Sequence, residues 1–280
     1  MTKMCKLRAL PVLMFVFSFC SILADDADDN IYLRMIDDAE SAIKKQNFEK
    51  AEQLLTDAIS FQPDNPNNAL LMSNLGMVRF YMNNDSSAII TLNQAHKMAP
   101  SSVTILLNRA RVLSATGDIK SAVEDYNRVT ELDSTVVMPY LFRGLLYLSN
   151  GDLQGAYAQF VNITKYSPSS YDEALAFANY YMCQQKYAEA KPYYNTLLKT
   201  EKTAENYAAH ALCCIFTDDL DFASDDISAG LEQNPMYGEL YLCRALLYKR
   251  RYLNDDAKKD ASKAKELGVD ASVVDSMLGE

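Results

Sequence analysis

Alanine recurs along this chain at a nearly constant interval. The gaps between successive members of the alanine column are 37, 34, 34, 34, 33 and 34 residues. The column consists of Ala51, Ala88, Ala122, Ala156, Ala190, Ala223 and Ala257. Apolar residues flank these alanines at the spacing of one face of an α-helix. A helical pattern with a period near 34 residues is typical of helix-turn-helix repeats that stack into a solenoid, so we predict an all-α fold.

A second column of small residues precedes the first. Each of its members lies twelve residues before an alanine of the first column: Ala39, Gly76, Ala110, Gly144, Ala178, Ala211 and Ala245. Two helices pack closely where neither carries a bulky side chain at the contact. The paired columns therefore predict that each repeat is an antiparallel hairpin of two helices.

Glycine and proline mark the ends of these helices. Gly117-Asp118 and Gly151-Asp152 lie between the two helices of their repeats, where glycine favours a left-handed helix end and aspartate caps the next helix. Proline closes the second helix in four repeats, at Pro63, Pro100, Pro168 and Pro235.

This arrangement resembles the tetratricopeptide repeat family. The matching positions are the small residues Gly76 and Gly144, the tyrosines Tyr147, Tyr181 and Tyr248, the alanine column and the closing prolines. The resemblance implies a right-handed α-solenoid of about seven hairpins over residues 32–271. The repeats are predicted at about 32–65, 69–102, 103–136, 137–170, 171–203, 204–237 and 238–271. Residues 272–280 are predicted to add a short capping helix, because apolar residues recur there at helical spacing.

The N-terminal residues differ from the repeats. Lys3, Lys6 and Arg8 precede an apolar run, and Ala24 offers a small residue for cleavage, so residues 1–24 are predicted to be a secretory signal peptide. An uncleaved anchor and a lipid attached at Cys20 stay open as alternatives, although Phe19 occupies a position that normally needs a small residue for lipidation. Residues 25–31 are predicted to be an acidic, flexible start. The remaining chain is expected to be exported, whether periplasmic, envelope-associated or secreted, without a further membrane span.

The net charge of the chain limits the classes of partner that it is expected to bind. Removing the signal peptide takes three basic residues from 27 and leaves 24 Lys and Arg against 37 Asp and Glu, a net charge of about −13. Nucleic-acid binding without sequence preference needs a basic face, so we predict no nucleic-acid partner. Anionic lipid surfaces are disfavoured for the same reason.

Four cysteines lie in the first helices of late repeats: Cys183, Cys213, Cys214 and Cys243. Buried free thiols are the simplest interpretation, because small apolar residues fit the same positions. A bridge from Cys183 to Cys213 or from Cys213 to Cys243 is the alternative. His210 and Cys214 form an i, i+4 pair that suits a metal ion, but no third ligand has suitable spacing, so no metal is predicted.

Charged residues replace apolar ones in two further columns. Arg109, Arg143, His210 and Arg244 stand one residue before the small column, and Asp125, Asp226 and Asp260 stand one residue before the aromatic column of the second helix. Partly buried charges need partners. The predicted ion pairs are Arg109 with Asp125 and Arg244 with Asp260, or, between repeats, Arg143 with Asp125 and Arg244 with Asp226.

The resemblance also implies a concave groove lined by first-helix residues that point away from the second helix. Sixteen residues take these positions: Met77, Phe80, Tyr81, Leu107, Arg111, Leu141, Leu145, Leu148, Leu175, Asn179, Met182, Leu212, Ile215, Phe216, Leu242 and Leu246. Part of this apolar set is expected to pack between adjacent first helices, and the rest to hold an extended peptide or an amphipathic helix. Some family members bind a C-terminal carboxylate with lysines and asparagines. In the second repeat the corresponding positions hold Leu70, Ser73 and Met77 instead.

Three classes of function follow from these observations. We predict an exported, non-catalytic scaffold that binds a protein or peptide segment, in envelope assembly or secretion. A solenoid that binds a small molecule or glycan is the alternative, supported by 18 tyrosines but not by tryptophan, which the chain lacks. An enzyme is not predicted, because the sequence has no phosphate-binding loop, nucleophile elbow or metal-ligand cluster, and no cofactor is expected.

Overall fold

The computed structural model describes residues 27–279, all of whose regular structure is α-helical. These residues form two compact units, one up to Pro139 and one from Tyr140. The predicted signal peptide and Cys20 lie outside the described residues and stay predictions. None of the described helices has the length and hydropathy that a membrane span requires.

The unit up to Pro139 contains six helices that pack in sequence as three hairpins: α1 (Ala27–Lys44) with α2 (Phe48–Phe61), α3 (Asn68–Tyr81) with α4 (Asp85–Met98), and α5 (Val103–Ala115) with α6 (Ile119–Leu132). Helix α1 begins at Ala27, so the part of the predicted flexible segment 25–31 that the structure describes is helical. Asp28 and Asp29 lie in its first turn, where negative charge stabilises the positive end of the helix dipole.

The unit from Tyr140 contains four further hairpins and one last helix. The helices are α7 (Met138–Ser149), which begins at the boundary, α8 (Leu153–Tyr166), α9 (Tyr171–Cys183), α10 (Tyr187–Thr200), α11 (Ala204–Phe216), α12 (Leu220–Gln233), α13 (Gly238–Arg250), α14 (Asn254–Glu266) and α15 (Ala271–Leu278). Helix α15 packs on α13 and α14 and buries Val274 and Leu278. The predicted all-α fold of repeated hairpins with a short C-terminal helix is confirmed.

The two small-residue columns lie where the helices of each hairpin approach most closely. Every member is buried, and the residue sixteen positions after each small residue of the first helix is large and buried in every hairpin except the last, which has Ala261 there. A methyl group built on Gly144 would lie 2.1 Å from the Phe160 ring, and one on Gly76 would lie 2.6 Å from Leu92. The hairpins therefore close on a small residue because a large side chain already fills the space.

The turn between the two helices has the same backbone shape in every hairpin. One residue takes a positive φ each time: Gly117 (93°) and Gly151 (78°) as predicted, and Gln46, Asn83, Gln185, Asp218 and Tyr252 elsewhere, with φ between 56° and 65°. Asp118 and Asp152 accept hydrogen bonds from the backbone N–H groups of Ser121 and Gly155, which caps the second helices as predicted. The packing of the hairpin therefore imposes the left-handed turn even where glycine is absent.

Candidate functional site

The predicted groove residues divide into two groups by exposure. Seven are buried among other side chains: Met77, Leu141, Leu148, Leu212, Ile215, Leu242 and Leu246. Leu212, Ile215, Leu242 and Leu246 belong to one core cluster shared by α11 and α13. Because these seven residues are buried, they contribute to helix packing and do not line an accessible groove.

The other nine groove residues remain accessible. Four of them are half-buried in the first unit: Phe80, Tyr81, Leu107 and Arg111. Four are half-buried in the second unit, namely Leu145, Leu175, Asn179 and Met182, and Phe216 is 39% exposed there. We call the members in the second unit, Leu145, Leu175, Asn179, Met182 and Phe216, the accessible first-helix face. They lie on α7, α9 and α11. This face is apolar apart from Asn179.

Neighbouring groups hold the side chains of this face. The Phe216 ring stacks on Tyr187 with 4.3 Å between ring centroids, and the Arg250 guanidinium lies 5.9 Å from the Phe216 centroid. The Met182 sulfur is 3.6 Å from the Cys213 thiol. Asn179 donates a hydrogen bond to the Leu175 carbonyl at 2.7 Å. The face is therefore ordered before any partner binds, which reduces the entropy lost on binding.

The ion pairs within hairpins are confirmed. Arg109 donates two hydrogen bonds to Asp125, at 2.7 and 2.6 Å, and Arg244 donates two to Asp260, at 2.6 and 2.9 Å. Asp125 and Asp260 are both buried. The alternative pair of Arg244 with Asp226 is wrong, because Arg244 binds Asp260 and Asp226 binds His210. Within its own hairpin, Arg143 donates to Gln159 at 3.1 Å.

A further charged contact was not predicted. Arg79 lies one helical turn after the charged column and donates to Glu52 and to the Thr91 hydroxyl, both at 2.7 Å. The repeat of Arg79 carries Leu75 in the charged column, so the arginine reaches the second helix from the next turn. The signal that could have found it is Thr91, a polar residue in the column that holds Asp125 in the next repeat.

His210 occupies the charged column of α11 and donates from Nδ1 to Asp226 at 2.6 Å. Burial alone would lower the pKa of His210, but hydrogen bonds to Asp226 and Cys214 and the charge of Asp226 outweigh it and raise the pKa to about 9. The imidazole is therefore protonated at neutral pH, and the pair is equivalent to the arginine–aspartate pairs of other hairpins.

This pKa predicts that stability falls as the pH rises through 9. The pKa of an unfolded histidine is about 6.5, so the stabilisation is complete below that pH and is lost between it and the folded value. The groups around the ring are Asp226, Cys214 and the nearby Lys191–Asp219 ion pair. We expect the α11–α12 hairpin to lose about 3 kcal/mol of stability, measured by urea unfolding below pH 6.5 and above pH 9. His210→Gln should remove this part of the pH dependence, and an unchanged profile would contradict the assignment.

The Cys214 thiol lies beside the same imidazole. Its sulfur is 3.9 Å from both ring nitrogens of His210, and the ligand atoms of His210, Cys214 and Asp226 all lie within 4.8 Å of one another. Sequence spacing alone indicates no third ligand for the pair of His210 and Cys214. The structure provides one in Asp226, which approaches from α12.

The interpretation as buried free thiols is confirmed for Cys213, Cys214 and Cys243, and the alternative bridges from Cys213 do not form. Cys213, Cys214 and Cys243 are free and buried. Burial raises the pKa of both Cys213 and Cys243 to about 12, so these thiols are unreactive. Cys183, which is half-buried at the end of α9, is disulfide-bonded, so the interpretation as a free thiol is wrong for this residue.

Tyrosines of α8, α9 and α10 pack mainly against one another. Phe177 contacts Tyr157, Tyr180, Tyr181 and Tyr193 with ring centroids 5.6 to 6.4 Å apart. Tyr157 is 47% exposed. Most of these rings therefore serve the core of the hairpins rather than a flat platform for a sugar.

Comparisons with known proteins agree with this architecture. The tetratricopeptide repeat family model matches residues 103–135, which contain α5, α6 and the Arg109–Asp125 pair. The mouse protein DnaJ homolog subfamily C member 7 is 30% identical over 100 residues, which are 35% of this chain and 20% of that protein, and the human protein matches to the same extent. The match thus spans about a fifth of the length of these relatives.

Solved structures share the fold over more of the chain. A tetratricopeptide repeat protein from Parabacteroides merdae superposes with a TM-score of 0.62 at 24% identity, covering 89% of this chain and 97% of that one. YrrB, a tetratricopeptide repeat protein with an unusual peptide-binding site, has a TM-score of 0.52 at 19% identity, covering 65% of this chain and 95% of its own. At these identities the likeness establishes the fold.

Proposed function

We propose that this chain is a tetratricopeptide repeat protein and a non-catalytic scaffold that binds a protein or peptide segment on its first helices. The observation that carries this proposal is the accessible first-helix face, where the apolar side chains of Leu145, Leu175 and Met182 stay half-buried and Phe216 is 39% exposed. Exposed apolar surface on a folded protein commonly marks an interaction site. YrrB, which shares the fold, is described as having a peptide-binding site.

The chemistry of the face limits the partner. Its residues offer apolar contacts, a methionine that adapts to irregular surfaces, and an aromatic ring bordered by Arg250. An extended segment or an amphipathic helix with apolar anchors suits such a surface, because one apolar face of the partner then covers it. We propose a partner of this type rather than an acidic peptide end, which would require a cluster of basic residues.

The scaffold is also proposed to act after export, in envelope assembly or secretion. Residues 1–24 support this, because a basic start is followed by a short apolar run and Ala24. The N-terminal residue of the chain isolated from its host tests the proposal. Cleavage as predicted leaves Asp25 first, and an intact Met1 would contradict it.

Two phenylalanines provide a matched test of the binding face. Phe216 belongs to the accessible first-helix face, whereas Phe222 is 64% exposed on the second helix α12. Peptides selected from a display library on the purified chain should bind Phe216→Ser at least about tenfold more weakly, because losing a central aromatic contact costs about 2 kcal/mol or more. Fluorescence anisotropy measures the Kd, and circular dichroism checks the fold.

The control is Phe222→Ser, which should bind the selected peptides like the wild type. Leu175→Ser provides a second variant on the same face and should weaken binding in the same direction. Equal affinity of all variants would show that the peptides bind elsewhere, and failure to select any peptide would contradict the scaffold proposal itself.

A further inference from the structure

A thiol, an imidazole and a carboxylate converge inside the α11–α12 hairpin. His210 and Cys214 lie one turn apart on α11, and Asp226 faces them from α12. Nδ1 of His210 is 2.6 Å from Oδ2 of Asp226, and the Cys214 sulfur is 3.9 Å from each nitrogen of the ring. These three side chains are of the types that bind transition metals in proteins.

The combination is specific to this hairpin among those with a charged pair. The residue four positions after the charged column is Leu113, Tyr147 or Tyr248 in the hairpins of Arg109, Arg143 and Arg244. Only the hairpin of His210 has a metal-ligating residue there, namely Cys214, and it also replaces arginine by histidine. In the hairpins of Arg109 and Arg244 an arginine–aspartate pair links the two helices. The cluster therefore needs two separate changes from that pattern, the histidine at position 210 and the cysteine at position 214.

The observed distances are close to those of a metal site. Zinc binds sulfur at about 2.3 Å and nitrogen or oxygen at about 2.0–2.2 Å, so its ligand atoms lie about 3.3–3.8 Å apart in a tetrahedron. The sulfur–nitrogen separation of 3.9 Å already approximates this. The nitrogen and oxygen, at 2.6 Å, must separate by less than about 1 Å, which a small rotation of Asp226 provides.

We propose that His210, Cys214 and Asp226 form a binding site for a divalent, borderline-soft metal ion such as zinc. The thiolate and the carboxylate together neutralise the charge of the ion. Sulfur and nitrogen ligands favour zinc over calcium and magnesium, which require oxygen. Three protein ligands leave a fourth position for water or for a group of a bound partner.

The surroundings of the cluster are compatible with an ion. Lys191 of α10 lies near Cys214, but its ammonium group is bound to Asp219 at 2.5 Å, so its charge is compensated. Asp226 retains 14% of its side-chain exposure, whereas His210 is at 7%. The ion would therefore enter on the side of Asp226. Its binding replaces the protons of the thiol and of the imidazole with bonds to the metal.

Cobalt provides a direct probe of this site. The reduced, metal-free chain is titrated with Co²⁺, and we expect a thiolate-to-cobalt absorption band that saturates at one equivalent and disappears when Zn²⁺ is added. Zinc should also raise the Tm, because an ion that binds the folded state stabilises it. Failure to saturate, or the absence of a thiolate band, would overturn the proposal.

Conservative variants assign the ligands. Asp226→Asn and Cys214→Ser should each weaken cobalt binding by about tenfold or more, since even outer-shell partners of a metal contribute ten- to a hundredfold. Cys213→Ser is the matched control, because this neighbouring thiol is buried but contacts the Met182 sulfur instead of an imidazole. Circular dichroism verifies that each variant is folded. Full binding by Cys214→Ser, or loss of binding by Cys213→Ser, would refute the assignment.

Discussion

Replacing Arg109 by leucine is expected to destabilise the α5–α6 hairpin by about 3–5 kcal/mol. The substitution leaves Asp125, whose side chain is 6% exposed, without the guanidinium that donates hydrogen bonds to it and compensates its charge. An unpaired buried carboxylate loses its hydration without compensation, which is why removing one partner of a buried pair is so costly. Hydrogen exchange is the appropriate measurement, because stability in a repeat protein is partly local. Protection of the amides in α5 and α6 should fall most.

Two further variants show whether the charge is responsible. The double variant Arg109→Leu/Asp125→Leu should recover most of the lost stability, because an apolar pair of similar size replaces a buried ion pair at little cost. Arg128→Leu removes an exposed partner of Glu131 and should change stability by less than about 0.5 kcal/mol. If Arg109→Leu left protection unchanged, the structural role of the pair would be wrong.

Gly144→Ala is expected to destabilise the α7–α8 hairpin by about 2 kcal/mol. Two effects oppose each other here. Alanine favours the helix by about 1 kcal/mol, whereas overpacking a filled core costs about 1–3 kcal/mol. The new methyl group would lie 2.1 Å from the Phe160 ring, which is completely buried, so we expect the steric effect to dominate.

A double-mutant cycle isolates this contact. Phe160→Leu removes ring atoms next to residue 144, so the variant Gly144→Ala/Phe160→Leu should be more stable than the sum of the single effects predicts. Urea unfolding followed by circular dichroism provides the free energies. Additive effects would mean that the two residues do not meet and that the proposed packing is incorrect.

The hairpin register could be predicted from the sequence because it is set by covalent spacing. Arg109 and Asp125 are sixteen positions apart, one on each helix of the hairpin, and the short turn between the helices brings them face to face. The same rule applied to His210 leads to Asp226, yet the cluster with Cys214 was not predicted. That cluster depends on how far two side chains reach across the hairpin, which spacing alone does not determine.

The accessible face could be predicted only in part. The sequence predicts that Leu148 and Leu175 both line the groove, but Leu148 is buried and Leu175 is half-buried. Exposure at these positions depends on the distance between neighbouring first helices, which the side chains of several helices set together. The residue pattern within one repeat therefore does not determine that distance.

The buried arginine–aspartate pairs lie within single hairpins, and this bears on how such an array can evolve. A gene duplication or deletion of about 34 codons moves both members of a pair together, so no buried charge loses its partner. Changes in copy number are therefore tolerated where many point substitutions are not. The Arg79–Glu52 and Lys191–Asp219 contacts join neighbouring hairpins instead, so we expect recombination to spare those two junctions.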